Sequence, residues 1–392
     1  MSNSERPGSI WTATFAVLCL AQFLGYASHN MLTPAFPLYV TRLGGSPFMV
    51  GLVLASFAVT SVFLRPLIGY WTDRWNEAGV LISGLLVQGA SIFLCFVPAI
   101  EAAMLANALR GIGWAGMNTG GYSLLAWTAP ADRRGEASGY YSGVQSSATI
   151  LFPAVALWLI DARTGGFGMV FAAAAALALL GGAAGTALAR HASRMGPRPD
   201  IAGSGVAGGF VLLERDVLPA TIMLFCLHLS LPAVTSFLVL YAQEIGIGNF
   251  GWYFVASGAT SVLARPLLGV VSDRIGRARS LAAGFALQVA ALILAVAASG
   301  LAGLLISGVF YMLGSAIGSS ATLALAMERA DPRRRGRAMA TLSVAFPAST
   351  GIGALLTGGA VELAGYFWMF LIVAGLAALG LALTLASWSS LK

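Results

Sequence analysis

Apolar residues form long runs along the whole chain, and short polar stretches separate these runs. A helix needs about 20 mostly apolar residues to cross the hydrocarbon core of a bilayer. The pattern therefore predicts an all-α membrane protein with twelve transmembrane helices. The predicted spans are residues 10–40, 47–70, 79–98, 102–127, 137–160, 166–189, 218–243, 249–271, 280–299, 301–327, 337–361 and 366–388.

The two halves of this pattern repeat each other. Residues 59–69 read VTSVFLRPLIG, and residues 259–269 read ATSVLARPLLG. An Asp-Arg pair follows each copy, at residues 73–74 and at residues 273–274. We therefore predict two pseudo-symmetric bundles of six helices. Parallel repeats of this kind place a solute site at the interface between the repeats.

One polar connection, residues 190–216, is rich in Gly, Pro and Arg and lies between the sixth and seventh predicted spans. This composition is typical of a linker between domains. The sequence thus predicts a first bundle over residues 1–189 and a second bundle over residues 217–392, joined by a cytoplasmic linker.

Composition and charge exclude a soluble globular protein and orient the chain in the membrane. Apolar residues make up 58% of the chain and charged residues 9%, and the mean hydropathy is +0.83. If the loops alternate between two sides, 17 of the 22 Lys and Arg residues lie on one side and two on the other. The cytoplasmic side carries such an excess, so both termini are predicted to be cytoplasmic, in a bacterial inner membrane. The net charge of +7 then requires no nucleic-acid partner.

Polar residues concentrate in spans 1, 4, 7 and 10, whereas spans 6, 9 and 12 carry few. Polar side chains are costly against lipid, so they should face protein or a hydrated cavity. We therefore predict that the polar-rich spans line a cavity. The candidate pocket residues on these spans and on span 5 are Tyr26, Asn30, Asn118, Tyr122, Gln145 and Tyr311.

Three arginines and two histidines lie inside predicted spans, whereas all 15 carboxylates lie at span ends or in loops. Arg110 is a fixed positive charge, and His29 and His228 belong to a residue type that titrates near neutral pH. We hypothesise an anionic or zwitterionic solute at Arg110 and a proton carried by one histidine. The alternatives stay open that Arg110 bonds to helix carbonyls and that both histidines are neutral packing residues. Arg65, which precedes a proline near a cytoplasmic end, is predicted to snorkel to the surface.

The two repeated loops resemble the signature G-x-x-x-D-R-x-G-R-[KR] of the major facilitator superfamily, and the resemblance extends over nearly the whole chain. The second half matches it well, whereas the first half has Asn76 and Glu77 at positions where the signature has Gly and Arg. The resemblance implies that these loops close a cytoplasmic gate; the alternative is that their charges only set topology. The matching residues are Gly69, Asp73, Arg74, Gly269, Asp273, Arg274, Gly276 and Arg277.

Two other signatures of that family match in part. In span 4 the signature R-x-x-Q-G-x-G has Asn107 at the Arg position and Arg110 at the Gln position. In span 5 the antiporter signature G-P-x-x-G-G keeps only Pro153. General membership is therefore supported by the motifs, whereas the identity of a specific drug/proton antiporter is not.

The resemblance implies a secondary transporter that moves a small organic solute by alternating access, with a proton or another ion as coupling partner. The sequences of spans 2 and 8 resemble those of the efflux-type branches of the family, which favours export, for example of a drug, metabolite or siderophore. Import of an organic anion is the alternative. No phosphate loop, nucleophile motif or metal-ligand spacing occurs in the sequence. We therefore predict no enzyme activity, no cofactor and no metal site, in a monomer whose surroundings are the lipid bilayer.

Overall fold

The computed structural model describes residues 10–74, 76–130, 133–161, 165–192, 214–331 and 335–388. Within these ranges every regular element is a helix, and none is a strand. The all-α class predicted from the hydrophobic runs is thus confirmed.

The described residues of the first half form seven α-helices, and a 3₁₀ turn at Phe93–Phe96 extends the fourth of them. Their bounds are α1 Ala13–Arg42, α2 Pro47–Phe63, α3 Arg65–Arg74, α4 Glu77–Ile92, α5 Ile100–Thr128, α6 Arg134–Asp161 and α7 Phe167–Ala192.

Six α-helices lie in the part of the second half that the structure describes, together with a 3₁₀ turn at Arg215–Val217 and a π-helical turn at Ala233–Phe237. Their bounds are α8 Leu218–Leu229, α9 Leu238–Glu244, α10 Gly251–Ile275, α11 Arg277–Ala297, α12 Leu301–Arg329 and α13 Arg335–Ala386.

Two spans are bent at the repeated Arg-Pro sequence. The α2 and α3 axes differ by 44°, and α10 bends by 52° between Ala264 and Pro266. Proline has no N–H to donate, and its ring clashes with the carbonyl four residues earlier, so it bends a helix at that point. The repeat in the sequence therefore corresponds to a repeat in helix shape.

The number of spans agrees with the twelve predicted. In the described part of the chain, eight helices are long and apolar enough to cross a membrane, and ten are if each bent pair is one span. Helix α13 has 52 residues and breaks at Gly365, where φ is 81°. At 1.5 Å per residue it is about 78 Å long, enough for two crossings. Helix α5 has 29 residues and is long enough to cross, although polar residues lower its hydropathy.

The chain separates into two compact units, each with its own core. One unit comprises residues 1–32 and 60–200, and the other comprises residues 33–59 and 201–392. The end of α1 and most of α2 therefore pack with helices of the second half. The predicted linker, residues 190–216, lies mostly outside the described residues, so the boundary drawn there stays a prediction.

The cores of the two units are built from corresponding helices. In the first unit α1, α4, α5 and α6 meet around Leu18, Leu81, Leu85 and Tyr141, all fully buried. The second core joins α8, α11, α12 and α13; its fully buried members include Leu227, Leu281, Phe285 and Ala321.

Pairs of glycines bring neighbouring helices into close contact in both units. A Cβ built at Gly84 would lie 2.7 Å from the carbonyl oxygen of Gly113, so α4 and α5 approach closely. A Cβ built at Gly284 would lie 2.9 Å from the carbonyl oxygen of Gly314, on α11 and α12. Small residues of this kind allow backbone contact between membrane helices.

Candidate functional site

One side of α5 presents chemically distinctive side chains at intervals of four residues. Arg110, Trp114, Asn118 and Tyr122 follow one another along the helix. Residues four apart lie on nearly the same face of an α-helix, and the face turns slowly with each step. These four residues form a stripe, which we call the α5 stripe.

Arg110 is the N-terminal member of the α5 stripe and contacts His29 of α1. Its Nη2 atom lies 3.1 Å from Nδ1 of His29 and 3.5 Å from the carbonyl oxygen of that residue. Its Nη1 atom donates a short hydrogen bond to Oδ1 of Asn107. Only 2% of Arg110 is exposed. The structure thus brings Arg110 and His29, both predicted as site residues, into direct contact.

An aromatic group continues the site along α1 and α5. The ring of His29 stacks on Trp114 with centroids 4.0 Å apart, and the ring of Tyr26 lies 4.6 Å from Trp114. Tyr26 donates a hydrogen bond of 2.9 Å to Oδ1 of Asn118, and Asn118 donates to the carbonyl oxygen of Trp114. Tyr26 and Asn118, both predicted as pocket residues, therefore belong to one cluster.

A second hydrogen-bonded group lies further along the α5 stripe. The Tyr122 hydroxyl donates to Oε1 of Gln145 at 3.3 Å, and Gln145 donates to Oε1 of Gln22 at the same distance. Gln22 in turn donates to the carbonyl oxygen of Met117. Tyr122 is 47% exposed, whereas Gln145 is buried. Tyr122 and Gln145 are thus joined, as members of one network across α1, α5 and α6.

Asn30 plays a more local part. Its Nδ2 atom donates a hydrogen bond of 2.8 Å to the carbonyl oxygen of Tyr26, one turn earlier in α1, and the residue is buried. This hydrogen bond of Asn30 therefore goes to the backbone of its own helix.

Some residues of this cluster are absent from the candidates selected by sequence. Arg65, predicted to snorkel, interacts electrostatically with the phenols of Tyr26 and Tyr122. Trp114 lies at the centre of the aromatic group, and Gln22 joins the second network. The four-residue spacing along α5 was a signal for Trp114.

His228 and Tyr311 belong to the second unit, where each contacts a serine. Nδ1 of His228 lies 3.0 Å from the carbonyl oxygen of Leu224, and its Nε2 atom lies 3.5 Å from Oγ of Ser319. The hydroxyls of Tyr311 and Ser230 are 2.9 Å apart. Since a carbonyl only accepts, Nδ1 carries the proton and Nε2 offers a lone pair.

The π-helical turn at Ala233–Phe237 lies just after these residues in the seventh span. It follows Pro232, and the backbone of Leu229 approaches Gly353 of α13 closely enough to exclude a Cβ there. Single π turns inside α-helices frequently occur at functional sites. This π-helical turn therefore begins a few residues after His228 and Ser230.

The predicted gate loop of the second half contains an ion-pair network. Arg277 donates to Oδ1 of Asp273 at 2.6 Å, and its Nε and Nη2 atoms donate to Oε1 of Glu328 at 3.0 and 2.7 Å. Gly276 has a φ of 87°, a conformation that favours glycine. Arg274 is exposed at the end of α10.

The loop of the first half is built differently. Asp73 and Arg74 lie at the end of α3. Asn76, at the position of Gly276, accepts a short hydrogen bond from the backbone N–H of Gly79 and caps α4. Glu77 replaces the arginine that forms the network in the second half. Gly69 and Gly269 are alike, because a Cβ at either would meet no atom within 4 Å.

No group of three His, Cys, Asp or Glu side chains that could hold a metal ion occurs among the residues that the structure describes. The site is thus a set of one buried guanidinium, one imidazole, aromatic rings and amides. Such a set can hold an anion through the guanidinium and exchange a proton through the imidazole.

Comparison with protein families gives one match over most of the chain. The family described as Major Facilitator Superfamily matches residues 18–249 and residues 220–389. The two matched ranges overlap over residues 220–249 and together extend from residue 18 to residue 389.

Comparison with individual proteins gives distant relatives. The chain is 28% identical over 168 residues to "Multidrug resistance protein 1" of Bacillus subtilis, an alignment that spans 43% of this chain and 42% of that protein. It is 22% identical over 369 residues to an uncharacterised MFS-type transporter of Methanocaldococcus jannaschii, over 92% of both chains.

Among solved structures, the fold is similar to that of a bacterial homologue of the human lysosomal transporter Spinster. The TM-score is 0.74 at 16% identity, over 95% of this chain and 92% of that one. At this identity the likeness shows the fold alone.

Proposed function

The chain belongs to the Major Facilitator Superfamily, whose members are secondary transporters of small solutes, and we propose that its solute is an organic anion or zwitterion bound at Arg110. The protein is a multi-pass membrane protein. In our proposal it works as a monomer in the bacterial inner membrane, with both termini in the cytoplasm. Two bundles, residues 1–189 and 217–392, alternate in exposing the site to either side.

The burial of Arg110 carries this proposal. The guanidinium is covered, and the partners given above, Asn107 and His29, are both uncharged groups. No Asp or Glu occurs between Glu5 and Asp73 or between Glu101 and Asp132, which includes α1 and nearly all of α5. A buried cation is costly in a membrane unless an anion accompanies it. A carboxylate or phosphate of the solute supplies that anion.

The neighbours of Arg110 complete the proposed site. The hydroxyl and amide groups of Tyr26, Asn118, Tyr122 and Gln145 provide polar contacts, and Trp114 provides an apolar wall. His29 in the first unit, or His228 in the second, carries the coupling proton. Tyr311 supports the second group through Ser230.

The cytoplasmic gate is the second element of the proposal. The loop around Asp273 and Arg277 is held to the end of α12 by Glu328. The corresponding loop of the first half has Glu77 in place of the arginine, so the gate is asymmetric. Gly69 and Gly269 leave space where another helix can approach during the transport cycle.

Export is the direction that the named relative favours, because a multidrug resistance protein of Bacillus subtilis is among the proteins that this chain resembles. That support is by analogy, since the alignment spans less than half of that relative. Import of an organic anion on the same scaffold is the alternative.

Transport in proteoliposomes tests the proposal. Uptake and release of labelled benzoate and benzenesulfonate are compared with those of benzylammonium, a cation of similar shape. We expect flux of the anions, and we expect Arg110→Gln to reduce anion binding by about tenfold or more, because a charge-assisted hydrogen bond is lost. Arg110→Lys should retain part of the binding, since it keeps the charge but loses the planar fork.

A matched control distinguishes an effect on the binding site from an effect on folding. Arg42→Gln removes an exposed arginine at the end of α1 and should transport like the parent protein. If a correctly folded Arg110→Gln variant carries the anions as well as the parent does, or if the cation is the transported species, the proposal is wrong.

A further inference from the structure

The contact between Arg110 and His29 fixes the protonation of the imidazole. Arginine has only donors, so the atom that accepts from Nη2, at 3.1 Å, must offer a lone pair. Nδ1 of His29 is therefore unprotonated in this arrangement, and the single imidazole proton resides on Nε2. His29 cannot take up a second proton while Arg110 occupies Nδ1.

No Asp or Glu occurs in α1 or, after Glu101, in α5, the two helices that carry His29 and Arg110. Arg110 faces His29 from α5, and Tyr26 belongs to the same helix as His29. Arg110 interacts electrostatically with Cys95 of the 3₁₀ turn, and Tyr26 does so with Arg65 of α3. Arg110, Arg65, Tyr26 and Cys95 thus bring two cations, a phenol and a thiol to this cluster. A proton on His29 would stand beside the charge of Arg110, and like charges at this distance disfavour one another.

A bound anion would make a proton on His29 favourable. A carboxylate that pairs with Arg110 draws the guanidinium away from Nδ1 and at the same time places a negative charge next to the imidazole. The stacking of His29 on Trp114, with centroids 4.0 Å apart and planes 28° apart, keeps the ring in place while Arg110 turns. The freed lone pair then becomes a site for a proton.

We propose that Nδ1 of His29 is the proton-binding site of the transporter and that it opens when an anion displaces Arg110, so that anion and proton bind together. This inference rests on the anion site proposed above. Coupling between two sites is reciprocal, so a proton on His29 also strengthens the binding of the anion.

The sign of this coupling determines what a proton gradient does. Because anion and proton occupy the site together, they cross the membrane in the same direction. An inward proton gradient then drives uptake of the anion. The contact therefore favours the importer over the exporter that the relative's name favours.

The dependence of anion affinity on pH tests the inference. Binding of benzenesulfonate to the purified full-length protein in detergent is measured by calorimetry between about pH 5 and pH 8, the range in which an ordinary histidine titrates. A sulfonate stays ionised over this range, so any pH dependence comes from the protein. We expect the affinity to rise as the pH falls, by up to about tenfold for each pH unit.

His29→Gln is the decisive variant, because the glutamine carbonyl can still accept from Arg110 but cannot be protonated. It should bind benzenesulfonate with an affinity that no longer varies with pH. Arg42→Gln is the matched control, since it removes an exposed charge at the end of α1 and leaves both histidines in place, and it should keep the pH dependence of the parent protein.

The outcomes distinguish the two proposals. If the parent protein binds no anion, or if Arg110→Gln binds as tightly as the parent, the proposed function and this inference fail together. If Arg110 is needed for binding but the affinity is independent of pH, rises with pH, or keeps its slope in His29→Gln, only the inference is wrong.

Discussion

The side-chain amide of Gln88 donates a hydrogen bond of 2.9 Å to the carbonyl oxygen of Gly25. The same bond recurs in the second half of the chain, where Gln288 donates to the carbonyl oxygen of Leu227 at 3.0 Å. Both glutamines are completely buried. The third span is thus attached to the first, and the ninth to the seventh, by equivalent side chains 200 positions apart.

Replacing either glutamine by leucine should destabilise its own unit. We expect Gln88→Leu and Gln288→Leu each to lower the free energy of unfolding by about 1 kcal/mol, because one buried hydrogen bond is lost. Thermal unfolding of the purified protein in detergent measures the effect. Gln243→Leu, at an exposed position of α9, is the control and should leave the transition unchanged. Unequal losses of stability in Gln88→Leu and Gln288→Leu would show that the two hydrogen bonds do not contribute equally to their units.

The close contacts between α4 and α5 predict a second effect on stability. Gly84→Ala and Gly284→Ala each place a methyl group against the backbone of the neighbouring helix. We expect each to destabilise the protein by about 1–3 kcal/mol, because the helices must separate. Gly375→Ala is the matched control, since a Cβ there meets no atom within 4 Å. It should be neutral or slightly stabilising, and similar melting of all three variants would contradict the packing argument.

Glu362 connects the turn after the eleventh span to the start of α2. Its Oε2 atom accepts from the backbone N–H of Phe48 at 2.9 Å. It lies between the apolar runs 337–361 and 366–388, outside the spans. Hydrogen bonds from the Ser46 side chain and from that N–H lower the pKa of Glu362 below the usual value of 4.5. The carboxylate thus stabilises the helix N-terminus when it is ionised.

This cap predicts a dependence of stability on acid. Because the pKa is lower in the folded protein, the stabilisation is complete above about pH 4.5 and is lost as the pH falls through the lowered pKa. Melting temperatures recorded from neutral to acidic pH should therefore fall less steeply in Glu362→Gln than in the parent protein. Asp161→Asn, at the end of α6, serves as the control. An equal acid dependence in the parent and Glu362→Gln would exclude the cap.

The ion pair between Arg277 and Glu328 should matter more for the transport rate than for stability. Exposed pairs of this kind contribute about 0–1 kcal/mol, so Glu328→Gln should hardly change the melting temperature. If the loop acts as a gate, the same variant should change turnover in proteoliposomes. The reversed pair Arg277→Glu with Glu328→Arg should restore only part of the parent rate, because the new carboxylate at position 277 also faces Asp273. Arg279→Gln should have no effect. Unchanged turnover in Glu328→Gln would remove this pair from the gate.

The sequence predicted much of the fold and only part of the site. The Arg-Pro repeat at residues 65–66 and 265–266 indicated two equivalent halves, and both copies bend their helices. Arg110, His29, Tyr26 and Asn118 were selected because polar groups are rare in the spans, and they lie together. Trp114 and Gln22 also join the cluster and were not selected, since the sequence does not show which face of its helix each residue presents to a neighbour.

What the sequence by itself determined is the class of protein, because the cost of placing residues in lipid depends only on their composition along each run. It also determined the duplication, which is visible as repeated letters. Only the tertiary structure decided that Arg110 bonds to the imidazole of His29, and that His228 bonds instead to the backbone of its own helix. The rotation of each helix about its axis is set by packing against its neighbours, such as the glycine contacts between α4 and α5, and that packing is a property of the assembled bundle.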